Sequence, residues 1–463
     1  MPNYFPVENP TVPFWHSEED DFRNFQSTPE LPKETDVLII GAGYAGASVA
    51  YWMYKQCQDT KLSKPDILMV EARYVCSGAT GRNGGHLKPD YYREYLKFEK
   101  LYGLKDAASI GNFEKKHLSE VKKVVEDLNI DCDFVLTRAC NVHLTEGAVT
   151  GCKKAYAALK ENPYVEALDD IQVQEGANAE VTSICDISPI SFTFTAGQLW
   201  PYKFIKGLLK YCLDQGLNLQ TYTTVLNIKQ SDDGSYLVET SRGLVHAKKV
   251  VLATNAYTAG IVPEFEDKIV PVKGTCSHIK VTDNHDYAPY LSNTYGICRN
   301  FSEHEYLINR PNGGVIVGGA KPFYLKDKDS WYKNVDDSTL FKGDVKGWYS
   351  DFMQKHFYTW KPFKTEVDYL WTGILGYSVD ALPFVGEVPG SKNQFILAGF
   401  HGHGMPRVFL SAKAISEMIL QGVTVQETEI PKPFMLTKER FDSVVNNVLE
   451  EAGYYQYHSK PKL

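Results

Sequence analysis

The sequence predicts an α/β protein with a Rossmann-like nucleotide-binding domain, and three observations carry that reading. A strand from Asp36 to Ile40, whose last four residues are branched aliphatics, stops at Gly41. Glycines at 41, 43 and 46 then open a helical stretch from about Ala45 to Gln56. A second apolar run, Ile67-Leu68-Met69-Val70, ends in an acidic residue, Glu71. Strand, tight turn, helix and strand in that order are the opening of a nucleotide-binding βαβ unit.

The first strand, turn and helix carry the motif Gly41-Ala42-Gly43-Tyr44-Ala45-Gly46. Gly41 permits the turn, Gly43 lets a pyrophosphate approach the backbone, and Gly46 lets helix and strand pack closely. The helix N-terminus adds free N–H groups and a positive dipole end. At the tip of the second strand, Glu71 can accept hydrogen bonds from ribose hydroxyls. A carboxylate there, rather than an Arg, favours an unphosphorylated ribose. The spacing from Gly46 to Glu71, 25 residues, is a little long, and the polar stretch Asp59 to Pro65 accounts for it as a loop. Val37 to Tyr54 is also 18 residues without a formal charge, the length of a spanning helix. The glycines divide it into strand, turn and helix, so no membrane span is expected.

Composition narrows the function classes. The 463 residues allow two or three domains of about 150 residues. Apolar residues are 43% and charged residues 23%, which excludes a mainly disordered chain. A net charge of −8 lacks the basic field of a nucleic-acid binder, so no nucleic-acid partner is expected. The nine Cys are odd in number and form no CxxC. The start, Met1-Pro2-Asn3-Tyr4-Phe5, lacks the basic and apolar regions of a secretory signal. A reducing intracellular compartment is expected, with the Cys as buried small apolar residues.

After Glu71 come Ala72-Arg73 and then Ser77-Gly78-Ala79-Thr80-Gly81-Arg82-Asn83-Gly84-Gly85-His86-Leu87. Five of these last eleven are Gly or Ala, which suits a loop laid against a flat ligand rather than a packed core. With the strand ends, this run resembles the FAD-dependent D-amino-acid-oxidase-like family. That family includes glycine oxidases, sarcosine oxidases and bacterial γ-glutamylputrescine oxidases. The SGATGRNGGH wording is similar to the last group and to fungal members. The resemblance continues through Ala196 to Pro201, Thr224-Val225, Lys249 to Ala256 with its turn at Thr254-Asn255, Leu370-Trp371-Thr372-Gly373, Asp380 to Gly386, and Gly399-Phe400-His401-Gly402-His403-Gly404-Met405-Pro406. It spans about residues 35 to 422.

The resemblance implies a FAD-binding domain of glutathione-reductase type, discontinuous over 35–95, 190–262 and 366–425. Interleaved with it is an α+β substrate domain with a mixed sheet, over 96–189 and 263–365. Residues 1–34 read as an arm over the surface and 426–463 as a tail. The last motif follows a strand, Phe395 to Leu397, and opens a helix with Pro406 in its first turn. Such a helix N-terminus would favour negative charge on a reduced flavin. His401 and His403 lack further ligands nearby, so no metal is expected. Tyr306 to Val317 reads as a hairpin of the second domain.

The implied reaction is hydride transfer from the carbon of an amine to non-covalently bound FAD, giving an imine, with O₂ as acceptor and H₂O₂ formed. The expected partner is a small-molecule amine; the oligomeric state, the acceptor and the particular amine stay open. Alternatives are an amino-acid oxidase or dehydrogenase with another acceptor, a non-catalytic flavoprotein, or a nicotinamide-linked dehydrogenase. The His86, Tyr306, Trp371, Tyr377 and His403 side chains are candidates for the substrate pocket. Two departures bear on substrate and acceptor. Leu375 stands where glycine-oxidase-like members carry an Arg that clamps the α-carboxylate, unless Arg82 or Lys88 replaces it. Val315-Ile316-Val317 lacks the Lys of sarcosine-oxidase-like members. The final Pro461-Lys462-Leu463 resembles a peroxisomal address, so a peroxisomal or cytoplasmic location is expected.

Overall fold

The computed structural model describes residues 4–18, 20–176, 189–282, 288–300 and 303–458. The strand Glu34–Ile40 sits near the middle of an eight-stranded sheet. It pairs in parallel with Ile67–Val70 on one side and Gly243–Leu252 on the other, so that Ile40 lies level with Val70 and Leu252. Asn218–Gln220 and Gln394–Ala398 extend the parallel sheet outward, Phe384–Glu387 closes one edge antiparallel, and a ribbon of Val225–Gln230 and Tyr236–Thr240 joins Gly243–Leu252. Alternation along the first strand explains why both faces are covered. Val37 and Ile39 pack into the cluster that holds Ala47 and Ala50 of the first helix, whereas Leu38 and Ile40 pack against Val238, Val245 and Phe265. Strands buried on both faces read as near-continuous apolar runs, as this one does.

Three helices cover the first face. Tyr44–Thr60 packs against Pro201–Asp214 and Val408–Gln421. The 18-residue uncharged run is therefore divided between strand and helix, and among the described residues no helix is long and apolar enough to cross a membrane. The helix Val408–Gln421 begins two residues later than the sequence suggested, because Gly404 to Arg407 form a turn in which the Gly404 carbonyl accepts from Arg407 N–H.

A second, nine-stranded mixed sheet carries Val135–His143, Ile190–Gln198, Ile269–Val281, Thr294–Cys298, His304–Asn309, Val315–Gly318 and Thr365–Ser378 among its strands. His304–Asn309 and Val315–Gly318 form the expected hairpin, with Tyr306 opposite Gly318. Ile190–Gln198 and Thr365–Ser378 belong to this sheet, whereas the sequence segments had placed them with the nucleotide-binding strands. The reason is their pairing: Thr365–Ser378 runs antiparallel along the whole of Ile269–Val281. The long helix Tyr95–Asp127 is broken at Gly103, whose φ of 79° is non-helical.

The amino-terminal segment is anchored at one place. Phe14, Trp15 and His16 are buried, and the Trp15 indole donates to the Asn83 carbonyl at 2.6 Å. Eight free Cys are buried; Cys185 and the Pro461-Lys462-Leu463 end lie outside the described residues.

Candidate functional site

The parallel strands Glu34–Ile40, Ile67–Val70 and Gly243–Leu252 end together, and a long cleft opens at those carboxyl ends, where α/β sheets bind ligands. One end lies against Glu71, Thr223 and Val225; the other runs under the mixed sheet to Cys276, Tyr306 and Leu375.

At the glycine motif, Gly41, Gly43, Tyr44 and Ala45 line the cleft. Gly46 lies behind them, where any Cβ would collide with the Gly41 carbonyl. Gly41 has φ 113°, and a Cβ there would lie 2.7 Å from the Ala253 carbonyl oxygen. The Tyr44 N–H donates to Thr80 Oγ1 at 2.9 Å, which fixes the glycine-rich loop to the first turn of the helix. Glu71 is fixed as well: Oε2 accepts from Ala42 N–H and Oε1 from Arg73 N–H, both at 3.0 Å.

The next loop is held by two arginines. Arg73 forms a two-pronged pair with the fully buried Asp337, at 2.9 and 3.0 Å. Arg82 donates to the carbonyls of Ser77, Thr372 and Thr11 at 2.7 Å each, and its Nε stands 3.3 Å from Asp337. Both guanidiniums border the cleft but are engaged by protein acceptors, so Arg82 does not replace the missing carboxylate clamp. Ala72, Gly78, Ala79, Thr80, Asn83, Gly84 and His86 also line the cleft, whereas Gly85 and Leu87 are turned behind it. Asn83 pins this loop by donating to the Thr80 carbonyl at 2.8 Å and accepting from Gly85 N–H at 2.7 Å.

Thr254, Asn255, Gly373, Gly402, His403, Gly404 and Met405 line the cleft from the other strands and the last loop. Asn255 Oδ1 accepts from Gly399 N–H at 2.9 Å and joins the two turns. Three expected residues are placed otherwise. His401 faces away, its ring tilted against Tyr377 with centroids 4.1 Å apart, and Nδ1 3.0 Å from the Ser378 carbonyl. Tyr377 packs on His401 rather than on the cleft. Trp371 is fully buried and donates to the Arg82 carbonyl at 2.9 Å. The expected aromatic surround therefore reduces to Tyr306, whose hydroxyl lies 3.2 Å from Cys276 Sγ.

Several site residues had no sequence signal. Glu114, on the long helix, is fully buried and accepts from Arg407 Nε at 2.7 Å, His403 Nε2 at 3.0 Å and Asp90 N–H at 2.7 Å. Burial would raise its carboxyl, but the charges of His403 and Arg407 prevail and hold it at about 2. Asp337, Arg93 and His304 likewise stand in no motif. His86 and His304 are both pushed well below the usual histidine value, first by burial and then by nearby cations.

The donor set fits an extended dinucleotide. Backbone N–H groups line one stretch, a fixed carboxylate stands at one end, and Tyr257 lines the cleft with a buried hydroxyl that no protein group satisfies. A nucleotide cleft at strand ends, roofed by a mixed sheet, defines the class: a dinucleotide-cofactor oxidoreductase. The family model described as FAD dependent oxidoreductase (DAO) matches residues 36–418. The chain belongs to that family, and its cofactor is FAD. It is 24% identical to the γ-glutamylputrescine oxidoreductase of Escherichia coli strain K12, over 83% of each chain. It is 21% identical to the glycine oxidase of Bacillus subtilis strain 168, over 84% of this chain and 94% of that one. Among solved structures it superposes on glycine oxidase from Geobacillus kaustophilus with a TM-score of 0.65 at 18% identity, covering 88% and 99% of the two chains. It superposes on L-amino acid deaminase from Proteus myxofaciens with a TM-score of 0.68 at 14% identity, covering 94% and 98%.

Proposed function

We propose that the protein oxidises a C–N bond of an amine or N-substituted amino compound, with O₂ as the acceptor. The observation that carries this reading is the continuity of the cleft from the Glu71 end to a chamber beneath the mixed sheet, which Tyr306, Cys276 and Leu375 line together with Lys88, Asp90, Arg93 and His304. The names of two relatives, γ-glutamylputrescine oxidoreductase and glycine oxidase, support an amino compound.

In this reading Gly41, Gly43 and Thr80 receive the pyrophosphate, Glu71 the ribose, and Thr224-Val225 the adenine side. Gly402 to Met405 and Gly373 border the flavin ring. Bound FAD supplies a two-electron acceptor for a hydride from the amine-bearing carbon. The chain supplies the rest. The chamber desolvates the amine and so favours its neutral, hydride-donating form without a dedicated base. Glu114, 3.0 Å from His403 Nε2, fixes the ring at the cleft wall. The substrate imine then hydrolyses, and O₂ takes up two electrons and two protons as H₂O₂.

FAD is held without a covalent bond. Burial pushes the thiol of cleft-lining Cys276 up to about 12 and that of Cys76 well above its usual range, so neither is a ready nucleophile. Acid precipitation should leave the yellow chromophore in the supernatant; colour in the pellet contradicts this. With Leu375 in place of a clamp, glycine and D-alanine should be poor substrates. Peroxide release from aliphatic amines, and little from these two, is the expected assay result. Efficient glycine turnover without any response to amines overturns the substrate reading.

A further inference from the structure

A second cavity, of about 600 Å³, lies against the mixed sheet. Among the described residues it shares no lining side chain with the cofactor cleft. His278, on the strand Ile269–Val281, and Asp368, on the neighbouring strand Thr365–Ser378, line it together. The hairpin turn from Arg310 to Gly314 forms one wall and Phe14 another. Lys280 and Tyr290 also line it and are exposed, so the cavity opens to solvent.

Two buried side chains present atoms here that no protein group satisfies. His278 Nδ1 is 2.6 Å from Asp368 Oδ1, and its Nε2 has no partner. The ring stacks on Phe14 with centroids 4.1 Å apart. Gly314 lies beside Nε2, where a Cβ would come within 2.2 Å of it. The left-handed φ of the turn belongs to Gly313, so glycine at 314 answers to that close approach and not to the backbone. Arg310 donates through Nη2 to Asp133, while its Nε and Nη1 are buried without a partner. Its guanidinium carbon lies over the rings of Trp15 and Trp200, 5.1 Å from each centroid. Ring faces attract a cation but do not replace a carboxylate oxygen as acceptor. Burial lowers the Arg310 guanidinium below its ordinary value, although Asp133 and, more weakly, Cys132 and Glu18 oppose the shift. At Arg73 burial is outweighed, chiefly by Asp337, and the guanidinium is raised. Arg310 is thus a cation that its protein partners leave short of compensation. Buried donors without acceptors cost free energy that a ligand oxygen recovers.

We propose that this second cavity is a carboxylate-binding site, separate from the cofactor cleft, in which Arg310 and His278 hold the carboxyl group of a small organic acid. Arg310 offers N–H donors from a planar, permanently charged group. A carboxyl group suits His278 Nε2 in either protonation state: the carboxylate accepts from an imidazolium, and the acid donates to a neutral ring. A phosphate fits less well, because its second charge would face Asp133 and Asp368, which already stand behind the two side chains. The residues of this site take no part in hydride transfer, so the site stands whether or not an amine is the substrate.

Calorimetric titration of the flavin-loaded protein with propionate, propionamide and inorganic phosphate, at equal ionic strength, tests the site. Propionate should bind saturably, and the other two at least tenfold more weakly. The flavin absorption bands should not move as propionate binds, because the cavity lies apart from the cleft. His278→Phe keeps a ring against Phe14 and removes Nε2, and it should weaken propionate binding at least tenfold. Asp368 then retains Lys280, 3.6 Å away, as a partner. Arg310→Lys keeps a charge for Asp133 but loses the fork, and it should weaken binding as well. Flavin content and thermal midpoint show whether each variant is folded. If neither is, the selectivity of the unsubstituted protein for propionate, with unmoved flavin bands, decides. No propionate binding, equal binding of the amide or of phosphate, or unchanged affinity in a folded His278→Phe protein overturns the site. So does a shift of the flavin bands on binding, since the acid would then sit in the cofactor cleft.

Discussion

Glu71 and Glu114 show how single side chains set the two ends of the cleft. Glu71 stands at the tip of a strand with both oxygens accepting from backbone N–H groups, so its carboxylate is oriented by the chain itself. Glu71→Ala should weaken FAD binding by about 1.5–3 kcal/mol, the range for a hydrogen bond to a charged group. Titration of the apoprotein with FAD measures it, and undiminished retention through dialysis contradicts it. Glu114 has the opposite history. Nothing in its sequence neighbourhood, Asn112-Phe113-Glu114-Lys115, marks it, because the groups it serves, His403 and Arg407, are distant in the chain. Its folded carboxyl lies at about 2, below the ordinary value near 4.3. A depressed acid contributes stability that is present above its unfolded value and is lost as pH falls through its folded value. In Glu114→Gln the loss of stability between roughly pH 4.3 and 2 should be shallower than in the unsubstituted protein. Denaturant midpoints across that window test this, and parallel curves contradict it.

At the scale of elements, the glycine-rich loop after Glu71 is held from both sides. Asp337, on a segment remote in sequence, pairs with Arg73 and approaches Arg82, so it ties this loop to the chain beneath the mixed sheet. Asp337→Ala leaves two buried guanidiniums without their counter-ion, and breaking such a pair costs about 3–5 kcal/mol. Chemical denaturation should show a loss of that size. A change under about 1 kcal/mol, the range of a surface pair, contradicts the role assigned to it. The strand–turn–helix of residues 34–60 was legible because local chemistry dictates it: glycines at fixed spacing and an uninterrupted apolar run. The sheet membership of Ile190–Gln198 and Thr365–Ser378 was not, because pairing partners lie far along the chain. Likewise His401 and His403 look equivalent in sequence, yet a positive φ at His401 turns one ring onto Tyr377 while its neighbour meets Glu114.

Across the whole molecule, burial of neutral histidines joins the two sheets to solvent pH. His16, His117 and His401 are each held at about 3, in every case first by burial. A lowered histidine stabilises the fold above its unfolded value near 6.5 and loses that contribution as pH falls through the folded value. Stability should therefore decline as pH drops below about 6.5, before the carboxylates titrate. Thermal midpoints that stay flat from pH 7 to 5 contradict this. The two-sheet plan was legible in the sequence through the family resemblance, and most residues that line the cleft near Glu71 stand in short motifs. The end under the mixed sheet was not, because its walls come from strands of that sheet and from a buried acid on a helix.

The central claim is that an amine delivers a hydride within this cleft. Anaerobic mixing of the flavin-loaded protein with a panel of aliphatic amines and amino acids tests it most directly. The claim predicts loss of the visible flavin absorbance with at least one amine and recovery of colour, with peroxide, when O₂ is admitted. A flavin that stays oxidised with every amine and amino acid in the panel contradicts it.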